Sequence, residues 1–316
     1  MNKIGAGNFD EHQSEFLREI LAGLGKRQKE IPSKWFYNET GSSLFEEICE
    51  LEEYYPTRTE IRILHDNIKH IVDLIKPGTS LIELGSGNGK KIRILLDVLT
   101  PPYSYIPVDI SHQYLFSSSK ELQNNYQDIN IVPVHADFTK KFVLPDNELD
   151  NSKLIFFPGS SIGNFSPSCA IKFMSHIRKT LGSDCNFLIG IDLKKDIQLL
   201  EAAYNDKKGI TAKFNSNILL RANNELGANF HVNLFDHKAI WNKSMGRVEM
   251  HLISKLNQEV IIKGNKFFFK KGETIHTENS YKYTLDEIKL MVKKAGWHLK
   301  KSWIDSEKYF SVNYLT

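Results

Sequence analysis

Long hydrophobic runs are missing from this 316-residue chain. No window approaches the ~18 consecutive apolar residues that a membrane-spanning helix requires, so no membrane contact is expected. The stretch Met1–Gln13 has no apolar core of signal-peptide length, and a soluble cytoplasmic protein is the expectation. Charge of one sign is also lacking. The 41 Lys and Arg are interspersed with 38 Asp and Glu, leaving a formal charge of +3 and no basic arm or aromatic-studded stripe for nucleic acid. Cysteine is scarce: Cys49, Cys169 and Cys185 form an odd, widely spaced set, each with apolar residues within two positions. Buried free thiols are therefore expected, not disulfides or thiolate ligands. The 11 histidines make no H-E-x-x-H or similar pattern, so no metal site is expected. Internal repeats and low-complexity linkers are absent as well. What remains is ample apolar content for one large domain or two modest ones.

The organising stretch is Leu81-Ile82-Glu83-Leu84-Gly85-Ser86-Gly87-Asn88-Gly89-Lys90-Lys91. An apolar strand breaks into a glycine turn and then into a helical pattern at Ile92, Leu95, Leu96 and Leu99, the first unit of a nucleotide-binding α/β domain. Glycine suits such a loop because a backbone without Cβ reaches positive φ and lets a ligand approach closely. The spacing is G-x-G-x-G, not the longer G-x-G-x-x-G of dinucleotide folds.

Further strands are predicted at Ser104–Asp109, Ile129–Val134, Leu154–Phe157 and Phe187–Asp192. Five apolar strands alternating with helices imply a mostly parallel sheet covered on both faces, with ligands beyond the C-terminal strand ends. Gly85, Asp109, Asp137, Gly159 and Asn164 all fall at such ends. Asp109 follows Gly85 by 24 positions, the interval at which a carboxylate meets a ribose hydroxyl.

Upstream, a helix is predicted over Glu15–Leu24, followed by the aromatic segment Trp35-Phe36-Tyr37, either a plug over a core or a pocket wall, the plug being favoured. Ser43…Glu46 and Thr57…Glu60 have capping-box spacing ahead of helices, as does Thr284…Glu287. After Asp192 the period changes. Ile197, Leu200 and Tyr204 share a helical face, a helix spans Asn217–Glu225, and Phe230, Val232 and Leu234 begin a series of alternating strand patterns. His298–Ile304 and Tyr309–Leu315 read as a closing antiparallel hairpin. The expected organisation is an α/β domain at 61–193 and 284–316, and a smaller α+β domain at 1–60 and 194–283.

This layout resembles the class I S-adenosylmethionine-dependent methyltransferases, with Glu83-Leu84-Gly85-Ser86-Gly87 similar to their first motif. Nicotinamide enzymes, the main competitor, use the longer fingerprint. The likeness narrows elsewhere. Lys34-Trp35-Phe36-Tyr37, Glu53-Tyr54-Tyr55-Pro56-Thr57-Arg58-Thr59-Glu60, Gly159-Ser160-Ser161-Ile162-Gly163-Asn164, Arg247…Glu249-Met250 and Gly272-Glu273…Thr277-Glu278…Ser280 resemble the histidine-specific Nα-methyltransferases, which make hercynine for ergothioneine biosynthesis. The resemblance spans essentially the whole chain.

It implies S-adenosylmethionine held by Gly85, Ser86, Gly87, Lys91, Asp109, Asp137 and Phe138. It further implies that Asn164 and Tyr204 fix the α-amino and α-carboxylate groups of L-histidine, with Tyr37 in the same catalytic set. Tyr54, Glu278 and Ser280 would read the imidazole, with Met250 in the ring pocket and Gly159 leaving room at the amine. Asn88-Gly89-Lys90, Asn279 and Tyr281 depart from the family pattern. Relatives that act on tryptophan-like amines, and a silent S-adenosylmethionine-binding module, are the alternatives. A small-molecule substrate and a monomer are expected.

Overall fold

A computed structural model describes residues 5–99, 104–140, 142–144, 152–182 and 184–316; Met1–Ile4, part of the N-terminal stretch considered above, lie outside the described residues. The chain forms two compact units, residues 1–54 with 197–279 and residues 55–196 with 280–316.

In the larger unit, the apolar runs form strands because their side chains are buried on both faces. The five residues of β2 (Ser80–Leu84) and the five of β6 (Lys153–Phe157) are all buried. β2 pairs in parallel with β3 (Ser104–Asp109) and β6, and β6 with β7 (Cys185–Asp192). β13 (Leu299–Ile304) and β14 (Phe310–Leu315) make the antiparallel hairpin, with β14 lying along β7. The order is β13-β14-β7-β6-β2-β3, with the short β4 (Asn130–Ile131) beyond β3, a mostly parallel sheet with an antiparallel edge, as the class I methyltransferase reading anticipates. The strand foreseen at 129–134 is instead two short pieces on β3, β4 (Asn130–Ile131) and β5 (Val134–His135). Pro133 between them carries no N–H with which to continue the ladder.

One apolar layer joins Ile82, Ile106, Ile155 and Ile189 to α6 (Pro167–Leu181) and α9 (Leu285–Lys294). The other joins Leu81, Tyr105, Leu154 and Leu188 to α3 (Tyr55–Val72) and α4 (Lys90–Leu96). The capping box at Thr284 and Glu287 is present in full. That at Thr57 and Glu60 is not, because α3 begins at Tyr55, with Pro56 tolerated in a first turn that needs no N–H donor. This earlier start takes residues 55–60 into the larger unit.

The smaller unit contains α1 (Gly5–Leu24), β1 (Lys29–Glu30), α2 (Glu39–Cys49), α7 (Ile197–Ala202) and α8 (Ile210–Leu226). Its sheet runs β1-β12-β9-β8, using β8 (Phe235–Asn242), β9 (Arg247–Ser254) and β12 (Thr274–Tyr281), with a separate hairpin of β10 (Gln258–Ile262) and β11 (Asn265–Phe269). Asn38 caps α2 by accepting the Gly41 N–H at 2.9 Å, so Ser43 and Glu46 are mid-helix and form no capping box. α8 starts earlier than foreseen because the Asp206 carboxylate takes the N–H groups of Ile210 and Thr211 at 2.9 and 2.7 Å. Phe230–Leu234 is not a strand. Asn223 holds both backbone groups of Phe230 at 2.8 Å, and Val232–Leu234 is a short 3-10 turn ahead of β8. All three cysteines are free thiols, yet only Cys185 is buried; Cys169 is exposed, in the first turn of α6. Among the described residues, no helix is long and apolar enough to cross a membrane.

Candidate active site

The loop after β2 owes its shape to glycines with positive φ, +71° at Gly85 and +51° at Gly87. The Gly87 N–H donates to Asp109 Oδ2 at 3.2 Å, and the Ser111 N–H donates to Oδ1 at 2.9 Å. Burial raises the Asp109 pKa, and these backbone donors oppose the rise. A Cβ on Gly85 would lie 3.6 Å from the Phe138 ring, which packs edge-on against Phe157 at 5.5 Å. Asp137 accepts the Thr139 N–H at 3.0 Å. The Ser86 hydroxyl is buried and has no hydrogen-bond partner among the described residues. A buried hydroxyl in this state is costly unless a ligand completes it. Side-chain-free backbone, that hydroxyl, an acid and an aromatic edge together fit a ligand with a ribose and an adenine.

Lys91, expected to touch the cofactor, is tied to a residue whose sequence context suggests only a helix cap. Its ammonium lies 2.6 Å from Glu60 Oε2, and the side chain of Glu60 is 1% exposed. Both Glu60 oxygens also accept the Gly159 N–H, at 3.1 and 2.8 Å. Glu60 thus joins α3, the start of α4 and the loop after β6. The only sequence signal was an acid within a helical pattern. Glu83, at the end of β2, accepts the Tyr105 hydroxyl, and burial pushes its carboxyl up to about 8.

Asn164 closes a 3-10 turn, Ser161–Asn164, reached through Gly159 and the left-handed Ser160. The Ser160 hydroxyl accepts the Asp192 N–H at 2.9 Å, tying this turn to the end of β7. Ser280 is buried, and its hydroxyl oxygen lies 2.8 Å from Lys282 Nζ.

In the smaller unit, the aromatic segment divides its tasks. Trp35 and Phe36 are fully buried, with Trp35 stacked on Phe16 at 4.5 Å, whereas Tyr37 is half-buried and edge-on to Phe45 and Phe214. Tyr54 packs edge-on against Phe45 and Tyr204, at 6.2 and 6.1 Å between ring centres. Burial raises the Tyr54 pKa well above its ordinary value, and the nearby Tyr204, Cys49, Tyr37 and Glu278 push it further. Four of the expected substrate residues, Tyr37, Tyr54, Tyr204 and Glu278, are therefore electrostatic neighbours. Tyr204 is not on a helical face; it follows the end of α7, and its carbonyl is 2.8 Å from His237 Nε2. Met250 is buried on β9 opposite Ala239.

No linear motif announced a metal site, but the fold brings ligand-type atoms of Glu249, His251 and His276 within 4.8 Å of one another. Their partners argue for an ion-pair network. Glu249 Oε1 receives Arg247 at 2.7 Å and Asn242 at 2.8 Å, and Oε2 lies 3.1 Å from His251 Nε2. These bonds hold the Glu249 carboxyl down at about 2 against the opposing effect of burial. A dication would have to displace or repel the Arg247 guanidinium.

Residues 16–316 match the family described as histidine-specific methyltransferase, SAM-dependent. The chain belongs to that family. The chain is 35% identical to a histidine N-alpha-methyltransferase of Mycobacterium tuberculosis, over 94% of this chain and 93% of that one. It is 36% identical to the Mycolicibacterium smegmatis protein of the same name, over 96% and 95%. An ergothioneine biosynthesis protein 1 of Schizosaccharomyces pombe is 30% identical over 91% of this chain and 39% of that protein. This member of the histidine-specific methyltransferases is accordingly an S-adenosylmethionine-dependent enzyme, and its glycine loop, buried Ser86 hydroxyl, Asp109 and Phe138 suit that cofactor.

Proposed function

We propose that this enzyme methylates the α-amino group of L-histidine, three times in succession, giving hercynine as a step in ergothioneine biosynthesis. The observation that carries the reading is the cluster around Tyr54. Its buried hydroxyl, with Tyr204, Tyr37 and the Glu278 carboxylate as electrostatic neighbours, offers both donors and an acceptor to an amphoteric ring. An indole has only an N–H donor and gains less from such a set.

The cofactor supplies an electrophilic methyl group on a cationic sulfonium. Gly85, Ser86, Gly87, Lys91, Asp109, Asp137 and Phe138 are assigned to hold it, with Asp109 toward the ribose and Asp137-Phe138 toward the adenine. Asn164 and Tyr204 orient the substrate's α-amino and α-carboxylate groups, and Tyr37 lines the same set. Tyr54, Glu278 and Ser280 bind the imidazole, with Met250 behind the ring. An α-amine is largely protonated near neutral pH, so binding must favour the neutral form; a neighbouring cation and exclusion of water both do so. No protein nucleophile is required, and rate comes from aligning the amine nitrogen. Gly159, with no side chain, leaves room for a nitrogen that already carries methyl groups.

Incubation of the purified protein with S-adenosylmethionine and each amino acid, followed by mass spectrometry, tests the proposal. Histidine should gain one, two and then three methyl groups. Unmodified histidine beside a methylated tryptophan-like amine would overturn the substrate assignment, and accumulation of dimethylhistidine as the end product would overturn the trimethylation.

A further inference from the structure

Tyr204 lies in the turn that follows α7, and side chains moor that turn to β8, the last strand of its sheet. Glu201 Oε1 accepts the Trp241 N–H at 2.8 Å. Asn205 holds both backbone groups of Ala239: Oδ1 accepts the N–H at 2.9 Å, and Nδ2 donates to the carbonyl at 3.0 Å. His237 makes the third tie, with Nε2 2.8 Å from the Tyr204 carbonyl.

The proton of the His237 ring has one place to sit. Asn215, fully buried on α8, points Nδ2 at the His251 carbonyl at 3.1 Å, and its Oδ1 accepts the Thr277 hydroxyl at 2.6 Å. Turning this amide over would set its oxygen against the His251 carbonyl, two acceptors with no proton between them. Nδ2 is therefore the atom that faces His237 Nδ1, at 2.8 Å. An amide nitrogen only donates, so Nδ1 accepts and Nε2 carries the ring proton. The Nε2–H then donates to the Tyr204 carbonyl. Burial lowers the His237 pKa; the Tyr204 carbonyl and Asp206 oppose the fall and His251 adds to it, so the ring is neutral at neutral pH.

We propose that His237 is a positioning residue for substrate binding: held by Asn215 in the tautomer protonated at Nε2, it fixes the chain at Tyr204 and with it the direction of the Tyr204 side chain. The role rests on the assignment of Tyr204 to the α-amino and α-carboxylate groups of the substrate. The Tyr204 ring stands edge-on to Tyr54 with centres 6.1 Å apart, and a displaced carbonyl would carry the ring away from that neighbour. Orienting groups tolerate little displacement before binding and rate suffer.

Two substitutions separate the donor from the rest of the ring. His237→Gln extends an amide N–H to the place of Nε2, whereas His237→Asn offers an acceptor near the place of Nδ1 and is too short to reach the Tyr204 carbonyl. The measurement is calorimetry of histidine binding with S-adenosylhomocysteine present. His237→Asn should weaken histidine binding about fivefold, the scale of one neutral hydrogen bond, and His237→Gln should stay within about twofold of wild type. Affinity for S-adenosylhomocysteine should stay within about twofold in both. In a Tyr204→Phe background, His237→Asn should weaken histidine binding by less than about twofold further. Wild-type histidine affinity in Tyr204→Phe would overturn the assignment of Tyr204 itself. Weakened binding in Tyr204→Phe but wild-type binding in His237→Asn would overturn the role of His237 alone. Equal losses in the Asn and Gln variants, or an undiminished loss in the Tyr204→Phe background, would also overturn it. Should His237→Asn fail to fold, nitrogen-15 NMR of the wild-type protein still decides: His237 should show a protonated Nε2 and a bare Nδ1, and a protonated Nδ1 would overturn the tautomer on which the role depends.

Discussion

Glu60 and Gly159 stand 99 positions apart, yet the Gly159 N–H donates to both oxygens of the Glu60 carboxylate. The same carboxylate pairs with Lys91. A single buried acid thereby fixes the loop after β6 and the lysine after the glycine loop, two places where ligand-binding residues are expected.

Glu60→Gln keeps an oxygen for the Gly159 N–H but removes the charge that faces Lys91. Breaking a fully buried pair costs about 3–5 kcal/mol, and the partial exposure of Lys91 reduces the expected loss to about 2 kcal/mol. Thermal or denaturant unfolding should show this loss, accompanied by weaker S-adenosylmethionine binding in calorimetry. Wild-type stability and affinity in the variant would show that the pair contributes nothing to either.

Gly190→Ala tests the same network from the opposite side. A Cβ at position 190 would lie 1.9 Å from Glu60 Oε1, an impossible contact. A free glutamate would swing aside, but this one is held by Gly159 and Lys91. The variant should therefore reproduce both the destabilisation and the weaker cofactor binding of Glu60→Gln, although residue 190 is in the interior of β7. Combining the two substitutions should be markedly less than additive. Full additivity would show independent effects.

The core strands were legible because burial on both faces leaves near-continuous apolar runs in the sequence, and the glycine loop because positive φ demands glycine. The Thr284 cap was legible because both of its partners are four residues or fewer apart. Glu60 was not, since its partners lie at positions 91 and 159 and its own neighbours suggest only a helix start. The Glu249–His251–His276 cluster was hidden for the same reason: cross-strand neighbours leave no linear spacing. Asp206 capping α8 and Asn223 clamping Phe230 are side-chain choices that periodicity does not encode, so one helix start and one strand start were misplaced. In the candidate site, strand ends pointed to Asp109 and Asn164, whereas Tyr54, Tyr204 and Glu278 emerged only through family resemblance.

Glu83 predicts a pH dependence. Its carboxyl is raised from the ordinary 4.5 to about 8, chiefly by burial. Between those values the folded protein holds a proton that the unfolded chain has released, so stability falls as pH rises through the window and is complete below it. Glu83→Gln keeps an acceptor for Tyr105 and removes the titration. Melting temperatures from pH 5 to pH 9 should show the variant gaining on wild type as pH rises. A constant difference would show that Glu83 ionises normally.

The cysteines should separate by reactivity. Exposed Cys169 should react with a thiol reagent within minutes in the native protein. Cys185, buried and pushed up to about 12, should react only on unfolding. Peptide mapping after timed labelling reads both; rapid native modification of Cys185 would contradict its burial.

Glu278→Ala should separate substrate from cofactor. A hydrogen bond to a charged group contributes about 1.5–3 kcal/mol, which corresponds to a roughly 10- to 150-fold loss of histidine affinity. Glu278 is assigned to the imidazole, whereas Gly85, Asp109 and Phe138 are assigned to the cofactor. S-adenosylmethionine affinity should therefore remain within about twofold. Tyr54→Phe provides a second reading, because the raised pKa keeps its hydroxyl protonated and able to donate at any working pH. Its removal should weaken histidine binding without a pH-dependent component between pH 7 and 9. Equal losses of histidine and cofactor affinity in both variants, with lowered melting temperatures, would assign these residues to folding instead of recognition.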